Sequence, residues 1–304
     1  MKTPITPRQA LREILGRSFP LGQDRLSLER GWGRILKAPV YAPFSYPRFD
    51  NAALDGYALR SRDSAGASAG NPMRLALMGR QFAGQAWKGR LGPGGALHVT
   101  TGAPMPRGSD ALVPYELARL EGRGVFLDAP VERGWNVRRR GEDGLKGVLL
   151  ARRGELLNAR RLAMLAAFGV KSVVVAAKPR VAMAGSGDER LRTGAKMRPG
   201  SVFDANGPAL RGLLRENGLE ACADARLPDR ETAMRARIKA LLGACDVLLV
   251  AGGMSVGGHD LAKSVLESLG VRRVFWRVAQ KPGKPLYFGT LGRRLVFGLP
   301  GNPA

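Results

Sequence analysis

The chain has 304 residues, 44% of them hydrophobic, and 49 Lys or Arg against 25 Asp or Glu, a formal net charge of +24. That length predicts two or three domains with real cores. No apolar run approaches the roughly 18 residues of a membrane span, and the first residues mix charge through their apolar positions, unlike a signal peptide. Two cysteines, Cys222 and Cys245, exclude a disulfide framework and fit a reducing, cytoplasmic compartment.

The two histidines, His98 and His259, lie near no nucleophile elbow, which argues against Ser-His-Asp hydrolysis. The positive charge would attract polyanions by counterion release. No nucleic-acid-reading element accompanies it, however, and aromatics make up only 6% of the chain; a generally arginine-rich proteome explains much of the excess, and small anionic substrates would also profit from it.

In chain order, residues 7–17 read as an amphipathic helix starting after Thr6, with Pro7 at its first position and Ile5, Ala10, Leu11, Ile14 and Leu15 inward. A strand is expected at 34–38, followed by a two-proline linker at 42–47 that cannot be helical. From about 49 to 143 Gly and Pro recur, with short alternating runs at 73–78, 96–99, 111–113 and 125–127. Such a pattern predicts a small β-barrel or sandwich. Three polar clusters punctuate it: 50–58, 100–106 and 140–143. Each alone reads equally well as a turn that caps a strand end.

Helix resumes at 156–168, capped by Asn158 and closed by Gly169. A buried strand follows at 173–175 and another at 180–184; from there strands and helices alternate, which predicts a mostly parallel sheet, with a helix opened by 204–206 that buries Leu210, Leu213 and Leu214, and a helix at 233–242. The chain closes with strands at 274–279, 286–289 and 295–298.

The stretch 245–269 is the most informative. An apolar strand (247–250) runs into Gly252, Gly253, Gly257 and Gly258, and His259-Asp260 then lead into a helix. Strand, glycine loop and helix start together form a cradle of backbone N–H groups suited to an anion. Asp260 can cap that helix or hold a metal ion beside the anion. The loop matches neither standard nucleotide fingerprint, and a plain β–α turn remains open. The turn at 185–189 lies at another strand end, where ligands of such sheets bind. Lys281 and Lys284, on a rigid Pro-Gly turn, complement phosphate, or form a basic hairpin loop. Taken together, Asp55, Asp143, Asp188, Glu189 and Asp260 beside anion cradles suggest Mg²⁺-assisted chemistry on a phosphorylated ligand.

Eight segments in order, 50–58 (DNAALDGYA), 101–106 (TGAPMP), 140–143 (RGED), 185–191 (GSGDERL), 204–206 (DAN), 252–260 (GGMSVGGHD), 281–285 (KPGKP) and 299–303 (LPGNP), resemble the MoeA-type molybdopterin molybdenumtransferases and the gephyrin E domain. The resemblance runs from Leu11 to the last residue. It implies an elongated, multi-domain chain, α/β plus all-β: an N-terminal helical and linking domain (1–46 and 144–177), a small β-barrel-like domain (47–143) and a three-layer α/β/α molybdopterin-binding domain of mostly parallel sheet (178–304). It further implies a cytoplasmic homodimer, with no nucleic-acid or membrane partner, that takes adenylated molybdopterin and molybdate, uses Mg²⁺ and releases AMP. A molybdopterin adenylyltransferase is the expected partner.

By position, the resemblance assigns catalytic roles to Asp55, Thr101, Asp143, Glu189, Asp229 and Asp260. It assigns substrate binding to Gly252, Gly253, Ser255, Arg277, Lys281 and Lys284, and metal ligation to Glu189 and Asp260. The assignment of Asp229 rests on the resemblance alone. The sequence departs from the family pattern at Leu54 (usually Met), Gly185 (usually Ser), Arg190 (inserted before Leu191) and Gly258 (usually acidic). The family also continues into a further C-terminal β domain beyond the position of Ala304. The alternative expectation is therefore a pterin-binding carrier without turnover.

Overall fold

The computed structural model describes residues 4–254 and 261–302. The chain divides into two compact units, residues 25–175 and residues 1–24 with 176–304.

In the first unit a six-stranded sheet has the order Ala111–Pro114, Gly56–Leu59, Gly95–Val99, Met73–Gln81, Gly124–Leu127, Arg119–Glu121. All its pairings are antiparallel except that of 73–81 with 95–99. Alternation buries Tyr57, Leu59, Leu75, Ala96, Val113, Val125 and Leu127 in one cluster, as a period of two requires. A second cluster holds Ala58, Leu97, Val99, Leu112 and Leu91, so the central strands are covered on both faces. The helix Ala159–Ala167, capped by the Asn158 side chain on the Arg161 amide, packs with Leu36, Leu157, Val173 and Val175. The strand expected at 34–38 is instead two isolated bridges, Ile35 to Leu156 and Leu36 to Val175. Gly33, at φ +72°, turns the chain just before them.

The α/β unit carries the second six-stranded sheet, ordered Ala221–Leu227, Val181–Ser186, Val247–Ala251, Arg294–Leu299, Tyr287–Leu291, Arg272–Trp276. The first four strands are parallel and the last two are antiparallel additions. From Val181–Ser186 the chain first builds to one side of that strand and then crosses to the other, so the order reverses there. A crevice opens at such a reversal, beyond the carboxyl ends of the two strands that diverge. The helices Glu231–Ala244 and Leu261–Ser268 bury Met234, Ile238, Leu241, Ala262, Val265 and Leu266 against Leu248, Val250 and Val296. Gly270, at φ +88°, ends the second of them.

Two expected faces differ. The first helix, Pro7–Leu15, has a full capping box between Thr6 and Gln9. It packs on Phe275, Val278 and Phe288 through Ala10 and Ile14, with Ile5 just before the helix in the same cluster, while Leu11 and Leu15 stay exposed on the neighbouring stripe. The helix Asn206–Glu216 half-buries Leu210 and leaves Leu213 exposed. The reason is in the sheet: the surface it faces includes Gly185, Ala225, Ala251 and the charged Asp224 and Arg226, and a cavity remains there.

Candidate functional site

The crevice at the strand reversal is a cavity of about 650 Å³ lined by Ser186, Gly187, Glu189, Arg190, Asp229, Gly252, Gly253, Leu261, Gly301 and Asn302, among others. Two glycines shape its floor. Gly252 has φ +91° and Gly253 φ +70°, a region that side chains avoid. A Cβ on Gly252 would lie 3.0 Å from the Ser186 carbonyl oxygen, and one on Gly253 would lie 2.8 Å from the Ala262 Cβ. The turn is thus packed against both the neighbouring strand and the following helix. The Gly252 amide donates to the Leu299 carbonyl at 3.1 Å. Next along, the Met254 carbonyl accepts from the Trp276 indole N–H at 2.8 Å. Two cations stack on that indole, Arg277 at 4.4 Å and Lys263 at 4.7 Å from the ring centre. Arg277 itself is held at φ +79°, a strained conformation of the kind that concentrates at functional sites.

The carboxylates of this cavity play different parts. Asp229 accepts from the Asp188 amide at 2.8 Å and from the Ser186 hydroxyl at 3.5 Å, so it braces the turn that presents Glu189. Nothing in the pattern around Asp229 announced that role, because its partners come from a strand more than forty residues away. Glu189 folds back over Gly187, whose φ of +118° and missing side chain leave it room. Among the described residues the Glu189 carboxylate has no hydrogen-bond or ion-pair partner. Asp188 instead pairs with Arg226 at 3.5 Å and does not line this cavity. Ser255 and Asp260 lie outside the described residues. Lys281 and Lys284 line a separate concavity of about 700 Å³ with Pro4 and Gln280. Among the described residues no three His, Cys, Asp or Glu side chains gather as a metal cluster.

In residues 25–175 the three polar clusters of the sequence are stitched to one another. Ala52 and Ala103 exchange a backbone bond at 2.9 Å, as do Gly102 and Ala52. Residues 51–52 pair with 137–138. Asp50 accepts from the Arg140 amide and the Arg139 guanidinium, both at 2.8 Å. Within this corner one oxygen of Asp55 accepts from the Thr101 hydroxyl (2.6 Å) and the Thr101 amide (2.7 Å). The hydroxyl first and the amide second hold the Asp55 carboxyl below its ordinary value. Asp143 takes its own bond from Arg138 at 2.5 Å. It lines a mostly apolar concavity with Tyr46, Met164 and Phe168.

Beside Asp55, sequence reading missed an aromatic group. His98 stacks on Tyr115 with centroids 5.1 Å apart and shares a hydrogen bond with its hydroxyl. Tyr57 and Phe82 meet the imidazole edge-on. Burial lowers the His98 pKa, and burial followed by the Asp55 charge pushes the Tyr115 hydroxyl up to about 12. The available signal was register: Tyr57, His98 and Arg80 are cross-strand partners.

Comparison with known proteins finds two matching regions. Residues 5–169 match the MoeA N-terminal region (domain I and II), and residues 183–304 match a probable molybdopterin binding domain. A molybdopterin molybdenumtransferase of Nostoc sp. is 35% identical over 99% of this chain and 72% of its own length. The enzyme of that name from Haemophilus influenzae is 33% identical over 98% of this chain and 73% of its own length. The crystal structure of a molybdopterin biosynthesis MoeA protein from Pyrococcus horikoshii superposes with a TM-score of 0.79 at 33% identity, covering 99% of this chain and 75% of that one. With matches that run through both units and leave little of the sequence outside them, the chain belongs to the MoeA family of molybdopterin molybdenumtransferases.

Proposed function

We propose that the chain acts in molybdenum cofactor biosynthesis as a molybdenumtransferase: it takes adenylated molybdopterin, releases AMP and places molybdate on the dithiolene. The observation that carries this reading is the cavity at the strand reversal, where a glycine turn, two carboxylates and an arginine line one space in the segment similar to molybdopterin-binding domains. The Gly253 amide holds the phosphate on the turn that Gly252 shapes, while Arg277 and, from its separate concavity, Lys281 carry positive charge for phosphate or molybdate.

The carboxylates of Glu189 and Asp260, oxygen ligands both, suit a hard cation such as Mg²⁺, and Glu189 has no competing partner among the described residues. When bound, Mg²⁺ would supply positive charge to the phosphoanhydride oxygens. Hydrolysis breaks the P–O bond between the adenylyl phosphorus and the pterin phosphate; water oxygen joins the adenylyl phosphorus, and Glu189 accepts the water proton. Asp229 keeps Glu189 in place through the turn it braces.

In the same reading the smaller sheet curls toward a barrel, and the α/β unit stacks in three layers. The chain works in the cytoplasm as a homodimer, supplied by a molybdopterin adenylyltransferase.

The test is incubation with adenylated molybdopterin, molybdate and Mg²⁺, with AMP followed by chromatography. Wild type should release AMP only with Mg²⁺ present, and Glu189→Gln should slow release about a hundredfold or more. Binding of the pterin with no AMP from wild type would replace this reading with that of a carrier.

A further inference from the structure

Gly185 and Arg190 stand five positions apart in the sequence, yet in space they are one feature. A Cβ built on Gly185 would lie 2.9 Å from the Nη1 of Arg190. The guanidinium therefore occupies the room that a side chain at 185 would take. It is nearly buried, with 11% of its side chain exposed. Nη1 donates to the Ala251 carbonyl at 3.3 Å, immediately before the glycine turn. Nη2 lies 3.4 Å from Asp204, whose same oxygen accepts from the Gly207 amide.

Both contacts are long, and a guanidinium carries five N–H donors. Arg190 is also shared between two cavities: the 650 Å³ crevice with Glu189 and Gly252, and a neighbouring one of about 560 Å³ with Arg192, Arg211 and Arg226. A cation in such a wall, largely screened from water, interacts strongly with an anion entering from either side.

We propose that Arg190 is a specificity-determining residue of this chain, placed by the absence of a side chain at 185 so that its guanidinium binds the phosphate of the ligand in the crevice. The inference rests on the reading above and adds to it a phosphate contact that depends on two positions together. It follows that Gly185→Ser, which crowds the guanidinium out of its seat, imitates removal of the arginine itself.

The test uses the full chain with AMP as probe and adenosine as the phosphate-free control, both measured by calorimetry with Mg²⁺. Arg190→Leu and Gly185→Ser should each weaken AMP binding about ten- to hundredfold. Arg190→Lys should keep most of it, and adenosine should bind wild type and variants alike. Thermal melting identifies any variant that fails to fold, and Arg190→Lys then carries the comparison with wild type through the salt dependence of AMP binding, which should stay steep. Equal AMP affinity in wild type and Arg190→Leu would overturn the role of Arg190 while leaving the proposed function intact. Equal losses for AMP and adenosine would reduce Arg190 to a packing residue. Failure of wild type to bind AMP at all would sink both.

Discussion

In the α/β unit the candidate residues surround an open space; in the other unit they satisfy one another. Glu189, Asp229, Gly252 and Gly253 line a cavity, and among the described residues the Glu189 carboxylate has no partner. Asp55 and Thr101, by contrast, are joined by two short hydrogen bonds, and Asp143 by one to Arg138. The difference follows from topology. A parallel sheet that reverses its order leaves a crevice at its strand ends, whereas turns of a mostly antiparallel sheet meet in corners and consume their own donors. A polar cluster in the first setting is free to meet a ligand, while one in the second is already held in shape.

The largest expected effect tests how tightly the crevice is built. Gly253→Val combines a left-handed backbone with a contact against Ala262 and should cost about 2–4 kcal/mol of unfolding free energy. Gly102, at φ +80° in the other unit, has nothing within 4 Å of a Cβ. Gly102→Val should cost only the backbone strain, about 1–2 kcal/mol. Urea unfolding measures both, and equal costs would show that packing against the helix contributes nothing.

A smaller effect isolates the Trp276 bond. Trp276→Phe keeps an aromatic ring for Arg277 and Lys263 but removes the donor to the Met254 carbonyl, at a cost of about 1–2 kcal/mol. If the bond positions the glycine turn, AMP affinity should fall with it. Loss of stability without loss of affinity would separate the two.

The smallest effect belongs to the satisfied corner. The Asp55 carboxyl lies below its ordinary value in the folded chain. Its stabilisation is therefore present above the unfolded carboxyl value and is lost as pH falls through the lower folded value. Thr101→Ala removes the stronger of the two donors, and the Asp55 pKa should rise toward its ordinary value. Carboxyl NMR titration reads this directly; an unchanged pKa would mean that the backbone amide alone holds the charge.

Local pattern determined much of the molecule. Thr6 with Gln9, Asn158 and Gly270 mark helix ends because their side chains or backbone freedom act within a few residues. The strand, glycine and helix order at 247–261 pointed to an anion cradle for the same reason, and the alternation after 180 announced a largely parallel sheet. Only the tertiary structure decided how these parts were used. Asp229 braces the 187–189 turn, Arg190 fills the space beside Gly185 and His98 rests on Tyr115 because strands distant in sequence become neighbours in a sheet. Leu11, Leu15 and Leu213 are apolar yet exposed, because a helix buries the stripe its particular neighbours offer, and periodicity alone does not say which stripe that is.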